Sequence, residues 1–347
     1  MGAQRTTRPD AVYLLPLRWD HADDGELMRY LRRLAAWIDV LVVDGSPPYV
    51  FAQHRAAWGQ LVTHLASRAP GPDENGKAVA VMEGLRASRA PLVVIADDDV
   101  RYDEAGLTRM LRLLEDADLV RPQNRFQPLP WHARWDTSRA LVNRAAGGDY
   151  PGTLGVRRDA LPHGYDTHVL FENLELMRTV RAGGGRETRA HDLFVARRPP
   201  TAGRFLSQRV RQAYDSQAQP VRLVAELALL PLIVGAARRP RRLVLLAAAA
   251  LLTAACGRAR AGGRREFGLS CVAFTPVWLV ERAVCSWLAI GHLLAGGMPY
   301  SGARLRTAAH SERWIRAHVL ARDGGRPARR GARPSARRPV AVRPPAH

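Results

Sequence analysis

The chain has 347 residues, enough for two ordinary domains or one large domain with an appendage, so a full hydrophobic core can form. Apolar residues make up 47% of it and charged residues 24%, which excludes a wholly disordered protein. Lysine and arginine number 52 against 32 acidic residues, and the formal charge of +20 favours anionic partners such as nucleic acid, phosphate-rich ligands or an anionic membrane surface. The three cysteines show no metal-ligand spacing and predict neither a zinc site nor a disulfide framework.

Residues 1–200 alternate short apolar runs with helical periods, which is typical of a mainly parallel sheet covered by helices. The predicted buried strands are VYLLPL (12–17), VLVVDG (40–45) and PLVVIADDD (91–99). The predicted helices are a stripe from Leu27 to Ile38, segments near 49–67 and 76–88, and a segment from Leu107 to Leu114. We therefore expect an α/β domain with right-handed crossovers.

The last third of the chain contains three strongly apolar stretches, 223–237, 243–256 and 267–297. The first two are shorter than the roughly 20 residues that cross a bilayer, and the third carries Glu281 and Arg282 near its middle. Arginines flank all of these stretches, whereas simple crossings should leave alternate flanks poor in arginine. We therefore expect shallow, re-entrant or interfacial helices with arginines on anionic headgroups; the alternative is a soluble helical bundle.

These composition changes divide the chain into four parts. The predicted organisation is an N-terminal tail (1–10), an α/β domain (11–215), a membrane-associated helical region (216–300) and a basic, largely disordered tail (301–347).

Three consecutive carboxylates, Asp97, Asp98 and Asp99, directly follow the third predicted strand. They repel one another unless a cation or solvent screens them. Mg²⁺ and Mn²⁺ take one or two protein carboxylates and complete their shells with water and phosphate oxygens, so Asp97 and Asp99 could hold such a metal against a diphosphate. The alternative is an acidic surface turn.

Two further residues favour a ligand site at the same edge of the sheet. Asp44 ends the second predicted strand, and ligands of open α/β sheets bind at the carboxyl ends of strands. Lys77, the only lysine in the chain, opens a predicted helix and would point its charge and the helix N-terminal amides toward an anion. The alternative for Lys77 is an ordinary exposed lysine.

Six segments match known motifs in order and spacing over about residues 10–215. They are VVDGS (42–46), GKAVAVMEGLRAS (76–88), VVIADDDV (93–100), GTLGVRRDAL (152–161), FENLELMRTVRAGG (171–184) and SQRVRQAY (207–214). Together they resemble the inverting family-2 glycosyltransferases, which have the GT-A nucleotide-sugar-binding fold. The resemblance implies this fold for 11–215, and a C-terminal membrane region is also usual in the family.

The resemblance also implies roles for individual residues. It places Asp44 at the nucleoside, Lys77 near the donor, Asp97 and Asp98 on the nucleotide side, and a Mg²⁺ or Mn²⁺ ion on Asp97 and Asp99. Gln208, Arg209 and Arg211 fit the QxxRW-like element and could clasp the diphosphate. Gln212 stands where processive polymer synthases have an aromatic residue, which favours one or few transfers.

The general base is the main departure from the family pattern. The family has Glu-Asp where this chain has Glu172-Asn173, and an amide cannot accept the acceptor's proton at neutral pH. We expect Glu172 to be the base, with Asp149 and Asp166 as second choices. The alternative for Glu172 is a carboxylate that only stabilises a helix N-terminus.

These features predict a membrane-associated glycosyltransferase that moves a sugar from a nucleotide-sugar donor to a lipid-linked or cell-envelope acceptor, with its catalytic domain on the cytoplasmic side of the cell membrane. The alternative is a catalytically silent, nucleotide-sugar-binding scaffold protein. No nucleic-acid partner is expected, because no aromatic-basic platform or Cys/His finger accompanies the positive charge.

Overall fold

The computed structural model describes residues 10–22, 25–300 and 302–321. The strands are β1 (Ala11–Leu17), β2 (Asp39–Asp44), β3 (Thr63–Ala66), β4 (Leu92–Ala96), β5 (Val100–Arg101), β6 (Leu119–Phe126), β7 (Thr153–Arg157), β8 (Glu187–Arg197), β9 (Met298–Tyr300) and β10 (Ala303–Leu305). The α-helices are α1 (Glu26–Leu34), α2 (Pro48–Trp58), α3 (Gly76–Ala87), α4 (Glu104–Asp116), α5 (Trp131–Ala145), α6 (Glu172–Ala182), α7 (Ala202–Ser207), α8 (Arg209–Tyr214), α9 (Pro220–Ala237), α10 (Pro240–Ala259), α11 (Gly263–Glu266), α12 (Leu269–Ala273), α13 (Thr275–Leu294) and α14 (Glu312–Ile315).

The first eight strands form one sheet in the order β3-β2-β1-β4-β7-β6-β8-β5. Strands β3, β2, β1 and β4 are parallel neighbours, β7 runs antiparallel to β4 and β6, and β8 is parallel to β6. Every residue of β1 and of β4 is buried, because helices cover both faces of the sheet. The predicted α/β architecture with a mainly parallel sheet is confirmed.

Two predictions about the ends of elements are wrong. The predicted helix 49–67 stops at Trp58, and Thr63–Ala66 instead forms an edge strand parallel to β2. Trp58 is fully buried and stacks on His54, so the chain turns back into the sheet there.

The predicted disordered tail also begins too early. Residues 302–321 fold against the α/β domain: Leu170 and Phe171 donate their backbone N–H groups to the carbonyls of Thr307 and Ala308, at 2.9 and 2.8 Å, and Ile315 is fully buried. The rest of that tail, and residues 1–9 of the N-terminal tail, lie outside the described residues.

Three helices, α9, α10 and α13, are long and apolar enough to cross a membrane by length and composition. The sequence-based objection that the first two are too short is wrong, because flanking residues extend these helices to 18 and 20 residues, or about 27 and 30 Å.

Helix α13 nevertheless lies along the α/β domain. Cys271 and Val272, just before it, pack with Leu141 of α5, while Cys285 and Ala289 in its second half belong to the main core. Both of its ends therefore meet the same domain.

Candidate active site

Lys77 joins helix α6 to the three consecutive carboxylates Asp97, Asp98 and Asp99, here called the acidic triplet. Its Nζ atom contacts Asp97 Oδ1 and lies 2.6 Å from Glu172 Oε1. Burial alone would lower the pKa of Lys77, but the carboxylates of Asp97 and Glu172 more than offset this and raise it. The structure thus brings together three predicted site residues from β4, α3 and α6.

Asn75 fixes the position of Lys77. As the N-cap of α3, its Oδ1 accepts hydrogen bonds from the backbone N–H groups of Lys77 and Ala78, at 3.0 and 3.4 Å. Its Nδ2 donates to the carbonyls of Val169 and Leu170, at 3.0 and 3.2 Å. One fully buried amide therefore holds the start of α3 against the segment that leads into Glu172.

Arg197, the last residue of β8, faces the triplet from the opposite side. Its Nε atom lies 2.9 and 2.8 Å from the two carboxylate oxygens of Asp99, and its Nη2 lies 3.4 Å from Asp97 Oδ2. Burial raises the pKa of Asp99 to about 6, with the neighbouring charges of Asp97 and Asp98 adding to the rise and Arg197 opposing it.

Asp44 lies in a buried hydrogen-bonded cluster beneath this edge. Its Oδ2 contacts His54 Nδ1 at 2.8 Å and His64 Nε2 at 3.0 Å, and its Oδ1 accepts the backbone N–H of Ser46 at 2.9 Å. Burial alone would raise the pKa of Asp44, but hydrogen bonds from His64, Ser46 and His54 lower it to about 2. With 1% exposure and both oxygens engaged, Asp44 does not face solvent, and a direct nucleoside contact would require these bonds to be exchanged.

Trp19 connects the ends of three neighbouring strands. Its backbone N–H donates to Ser46 Oγ at 2.9 Å, and its indole Nε1 donates to Asp98 Oδ2. Its ring meets His54 edge-on at 5.7 Å between centroids. The Asp44 cluster is therefore linked through Ser46 and Trp19 to the middle carboxylate of the triplet.

The three residues of the QxxRW-like element separate in space. Arg209 is 5% exposed, donates to the Phe205 carbonyl at 3.0 Å and to Asp136 Oδ1 at 3.3 Å, and stacks over the Phe205 ring. These interactions direct its guanidinium into the protein, so its placement does not support the predicted diphosphate contact. Gln208 is half-buried at the start of α8.

Arg211 packs against Tyr300. Its guanidinium lies 5.3 Å from the centre of the Tyr300 ring. Burial alone would lower the pKa of Arg211, but Asp215, Tyr300, Glu172 and Asp97 together raise it. The charges that reach it include both carboxylates bound by Lys77.

The candidate bases have different surroundings. Glu172 is buried beside Lys77, while Asn173 uses its Nδ2 to donate to the Pro151 carbonyl at 3.1 Å. Asp149 is tied to Arg139 at 3.0 Å and to Asn143. Asp166 accepts hydrogen bonds from the backbone and ring of His168, at 2.9 Å each. Glu172 alone among the three carboxylates contacts the Lys77–Asp97 pair.

The C-terminal segment contacts helix α6 at Glu175, one turn after Glu172. His310 donates its backbone N–H to Glu175 Oε2 at 2.7 Å, and its ring Nδ1 lies 3.1 Å from Glu175 Oε1. The same ring stacks on Trp314 with centroids 3.5 Å apart. Sequence reasoning missed this contact because the segment is rich in arginine and lacks helical or strand periodicity.

The donor set of the triplet suits a hard divalent cation chemically, but its oxygens are already engaged. Asp97 is bound by Lys77 and Arg197, Asp99 by Arg197, and Asp98 by Trp19. Across residues 10–22, 25–300 and 302–321, no group of three or more His, Cys, Asp or Glu residues is arranged to hold a metal ion. A metal therefore does not fit this conformation unless Arg197 moves.

Residues 37–172 match the family described as Glycosyl transferase family 2. The match covers the chain from the start of β2 to Glu172 and includes Asp44, Lys77 and the triplet. Together with the mainly parallel sheet flanked by helices, it confirms the resemblance to family-2 glycosyltransferases with a GT-A fold.

Solved structures show remote likeness. The mannosyltransferase PcManGT from Pyrobaculum calidifontis, in complex with GDP-Man and Mn²⁺, is 16% identical with a TM-score of 0.47, covering 80% of this chain and 87% of that chain. Glucosyl-3-phosphoglycerate synthase from Mycobacterium tuberculosis, in complex with Mn²⁺, UDP-glucose and glycerol 3-phosphate, is 14% identical with a TM-score of 0.40, covering 62% and 79%.

S. aureus TarS 1–349, in complex with UDP-GlcNAc, is 12% identical with a TM-score of 0.39, covering 57% of this chain and 61% of that chain. The likeness is too remote to transfer a donor, a metal or an acceptor. No curated protein matches the sequence.

Proposed function

We propose that the protein is a membrane-associated glycosyltransferase that transfers a sugar from a nucleotide-sugar donor to a lipid-linked or cell-envelope acceptor with inversion. The observation that carries this proposal is the Lys77 bridge. It joins Asp97, at the carboxyl end of a parallel strand, to Glu172, at the start of the acceptor-side helix. Donor-side and acceptor-side carboxylates therefore meet at one point.

Inverting transfer requires a base on one face of the sugar and cations at the leaving diphosphate. Glu172 accepts the proton of the acceptor hydroxyl. Lys77 and Arg211 stabilise the charge that builds on the nucleoside diphosphate, and Gln208 contributes to donor binding. Asp44 acts on the nucleoside through Ser46 and Trp19, which also orient Asp98.

The predicted Mg²⁺ or Mn²⁺ belongs to this proposal. Asp97 and Asp99 would hold it once Arg197 is displaced, and it would supply neutralising charge to the diphosphate.

The membrane part of the proposal is supported by the outward faces of the long helices. On α13, Val280, Val284 and Leu288 are exposed, and on α9 and α10 so are Val224 and Leu245. Contiguous exposed apolar surface of this kind is typical of a membrane or protein contact. Since both ends of α13 meet the α/β domain, an interfacial position beside the cytoplasmic catalytic domain is favoured over a crossing.

A lipid-linked acceptor fits the position of the site. Tyr300, whose ring lies over Arg211, is in the strand β9 that directly follows α13. The site thus borders the apolar helices, from which a lipid-linked acceptor would approach.

Release of nucleoside diphosphate tests the proposal. The purified full chain in detergent is incubated with panels of UDP- and GDP-sugars, with a polyprenyl-phosphate acceptor and divalent metal present. Time-dependent release of one diphosphate is expected, and the same nucleotide should raise the melting temperature, because a ligand that binds only the folded form stabilises it by RT ln(1 + [L]/Kd). Stabilisation without any release, across the panel, would instead support the silent scaffold.

A further inference from the structure

Arg197 is built into the sheet at the triplet. Its backbone lies between β5 and β6, in register with Val100 on one side and Phe126 on the other. Its side chain contacts both oxygens of Asp99 and reaches Asp97. The guanidinium is therefore positioned by the strand itself.

The surroundings of this guanidinium are closely packed. The centre of the Phe126 ring lies 5.9 Å from Arg197 Cζ. On the other side stands Gly152, where an added Cβ would come within 2.6 Å of Asp97 Oδ2 and 3.3 Å of Arg197 Cζ. A side chain at this position would disturb the ion pair.

We propose that Arg197 is a resident counter-ion of Asp97 and Asp99, which a divalent cation must displace before it can bind. This inference rests on the proposed function and names how its metal site is regulated. The competition is electrostatic: a metal and a guanidinium cannot both occupy the same carboxylate oxygens, and like charges so close repel. Metal binding by the free protein is therefore weak.

A small cavity adjoins the guanidinium but is too small to hold it. Arg197 lines a small cavity of about 20 Å³, room for one water molecule, whose wall also includes Asp149 and Tyr150. Burial alone would lower the pKa of Arg197, but nearby carboxylates, Asp136 among them, raise it. Asp136 and Asp149 are already paired with Arg139, so displacement moves the Arg197 guanidinium, whose side chain is 27% exposed, toward solvent.

Binding of Mn²⁺ alone tests the inference, with free aqueous Mn²⁺ measured by electron paramagnetic resonance during titration of the full chain. Arg197→Gln should bind Mn²⁺ at least about tenfold more tightly than wild type, because it removes the competing cation and leaves the carboxylates unscreened. Arg198→Gln is the matched control: Arg198 is the next residue, pairs with Glu26 at 3.2 Å and should leave Mn²⁺ affinity unchanged.

Asp99→Asn in the Arg197→Gln background should abolish the gain. If Arg197→Gln unfolds, Arg197→Lys replaces it: lysine lacks the planar fork with which the Arg197 guanidinium contacts both oxygens of Asp99 and reaches Asp97, and Mn²⁺ affinity should rise by about threefold. Equal affinity in wild type and the folded Arg197 variant, or a gain that survives Asp99→Asn, overturns the inference.

The two proposals fail separately. If no nucleotide stabilises the protein but Arg197→Gln still tightens Mn²⁺ binding, the enzymatic function falls and the counter-ion role stands. If the protein binds a nucleotide sugar and releases its diphosphate, but Arg197→Gln leaves the Mn²⁺ affinity unchanged, the counter-ion role is wrong.

Discussion

Helices α4 and α13 differ in which of their side chains they bury and which they expose. In α4, Leu107 and Met110 are buried against the sheet. In α13, Arg282 and Ser286 are fully buried, whereas Leu288 is 52% exposed. Helices facing water bury their apolar stripe, so the exposed apolar residues of α13 are typical of a surface that contacts a membrane or another protein.

The edge of the sheet that carries Lys77 and the apolar helices also differ in how their charged side chains are arranged. At the edge of the sheet that carries Lys77, opposite charges from different elements pair, as Lys77 does with Asp97 and Glu172. Among the apolar helices, charged side chains point inward. Glu226 of α9 pairs with Arg222 at 2.8 Å and accepts a hydrogen bond from Ser286 Oγ at 3.3 Å. The first arrangement leaves the Lys77 side chain partly exposed, and the second keeps charge off the outward surface of the apolar helices.

The largest expected effect is a loss of turnover when the proposed base is removed. Glu172→Gln removes the proposed base but keeps the size of the side chain, so turnover should fall by about 10²- to 10⁴-fold while nucleotide binding persists. Diphosphate release and thermal shift with nucleotide measure the two effects. Asp166→Asn is the control, and a larger loss of turnover there than in Glu172→Gln would make Asp166 the base.

Lys77→Ala tests whether the paired charges stabilise the fold. Its removal leaves Asp97 and Glu172 close together without a cation, and the free energy of unfolding should fall by about 2–4 kcal/mol. Chemical unfolding at neutral pH measures it. Arg86→Ala, at an exposed position on the same helix, is the control, and an equal loss in both variants would contradict the bridge.

Asp44→Asn tests the buried cluster through its pH dependence. The pKa of Asp44 is lowered to about 2 in the folded protein, so the ionised carboxylate contributes about 2 kcal/mol that is present above about pH 4 and lost as the pH falls toward 2. The stability difference between Asp44→Asn and wild type should be largest near neutral pH and shrink below pH 4. Unfolding curves from pH 7 to pH 3 measure it.

Asp39→Asn is the matched control, because Asp39 is exposed in the same strand. It should match wild type over the whole range. A pH-independent deficit in Asp44→Asn would mean that the variant disturbs packing and that the charge of Asp44 adds no stability.

Sequence predicted the residues that end strands but not those brought in by topology. Asp97 follows an apolar run that can be read directly, and Lys77 begins a helix after a glycine. Arg197 reaches the triplet only because β8 lies between β6 and β5, a neighbourhood that no local spacing encodes. Arg209 shows the opposite case. It fits a motif that predicts a diphosphate contact, but hydrogen bonds to Asp136 and Phe205 hold its side chain inside the protein.

The apolar helices were recognisable by composition, and only the structure showed which face points outward. Leu288→Asp places a charge on that face without entering the core, so binding to anionic vesicles should weaken by about tenfold while the melting temperature stays near wild type. Vesicle co-sedimentation measures binding. Tyr49→Asp, at an exposed apolar residue of the α/β domain, should bind vesicles like wild type. A surface that contacts lipid should lose affinity for vesicles when charged, while the protein stays folded. If Leu288→Asp instead unfolds the protein and the folded fraction binds vesicles as wild type does, the outward face of α13 contacts protein.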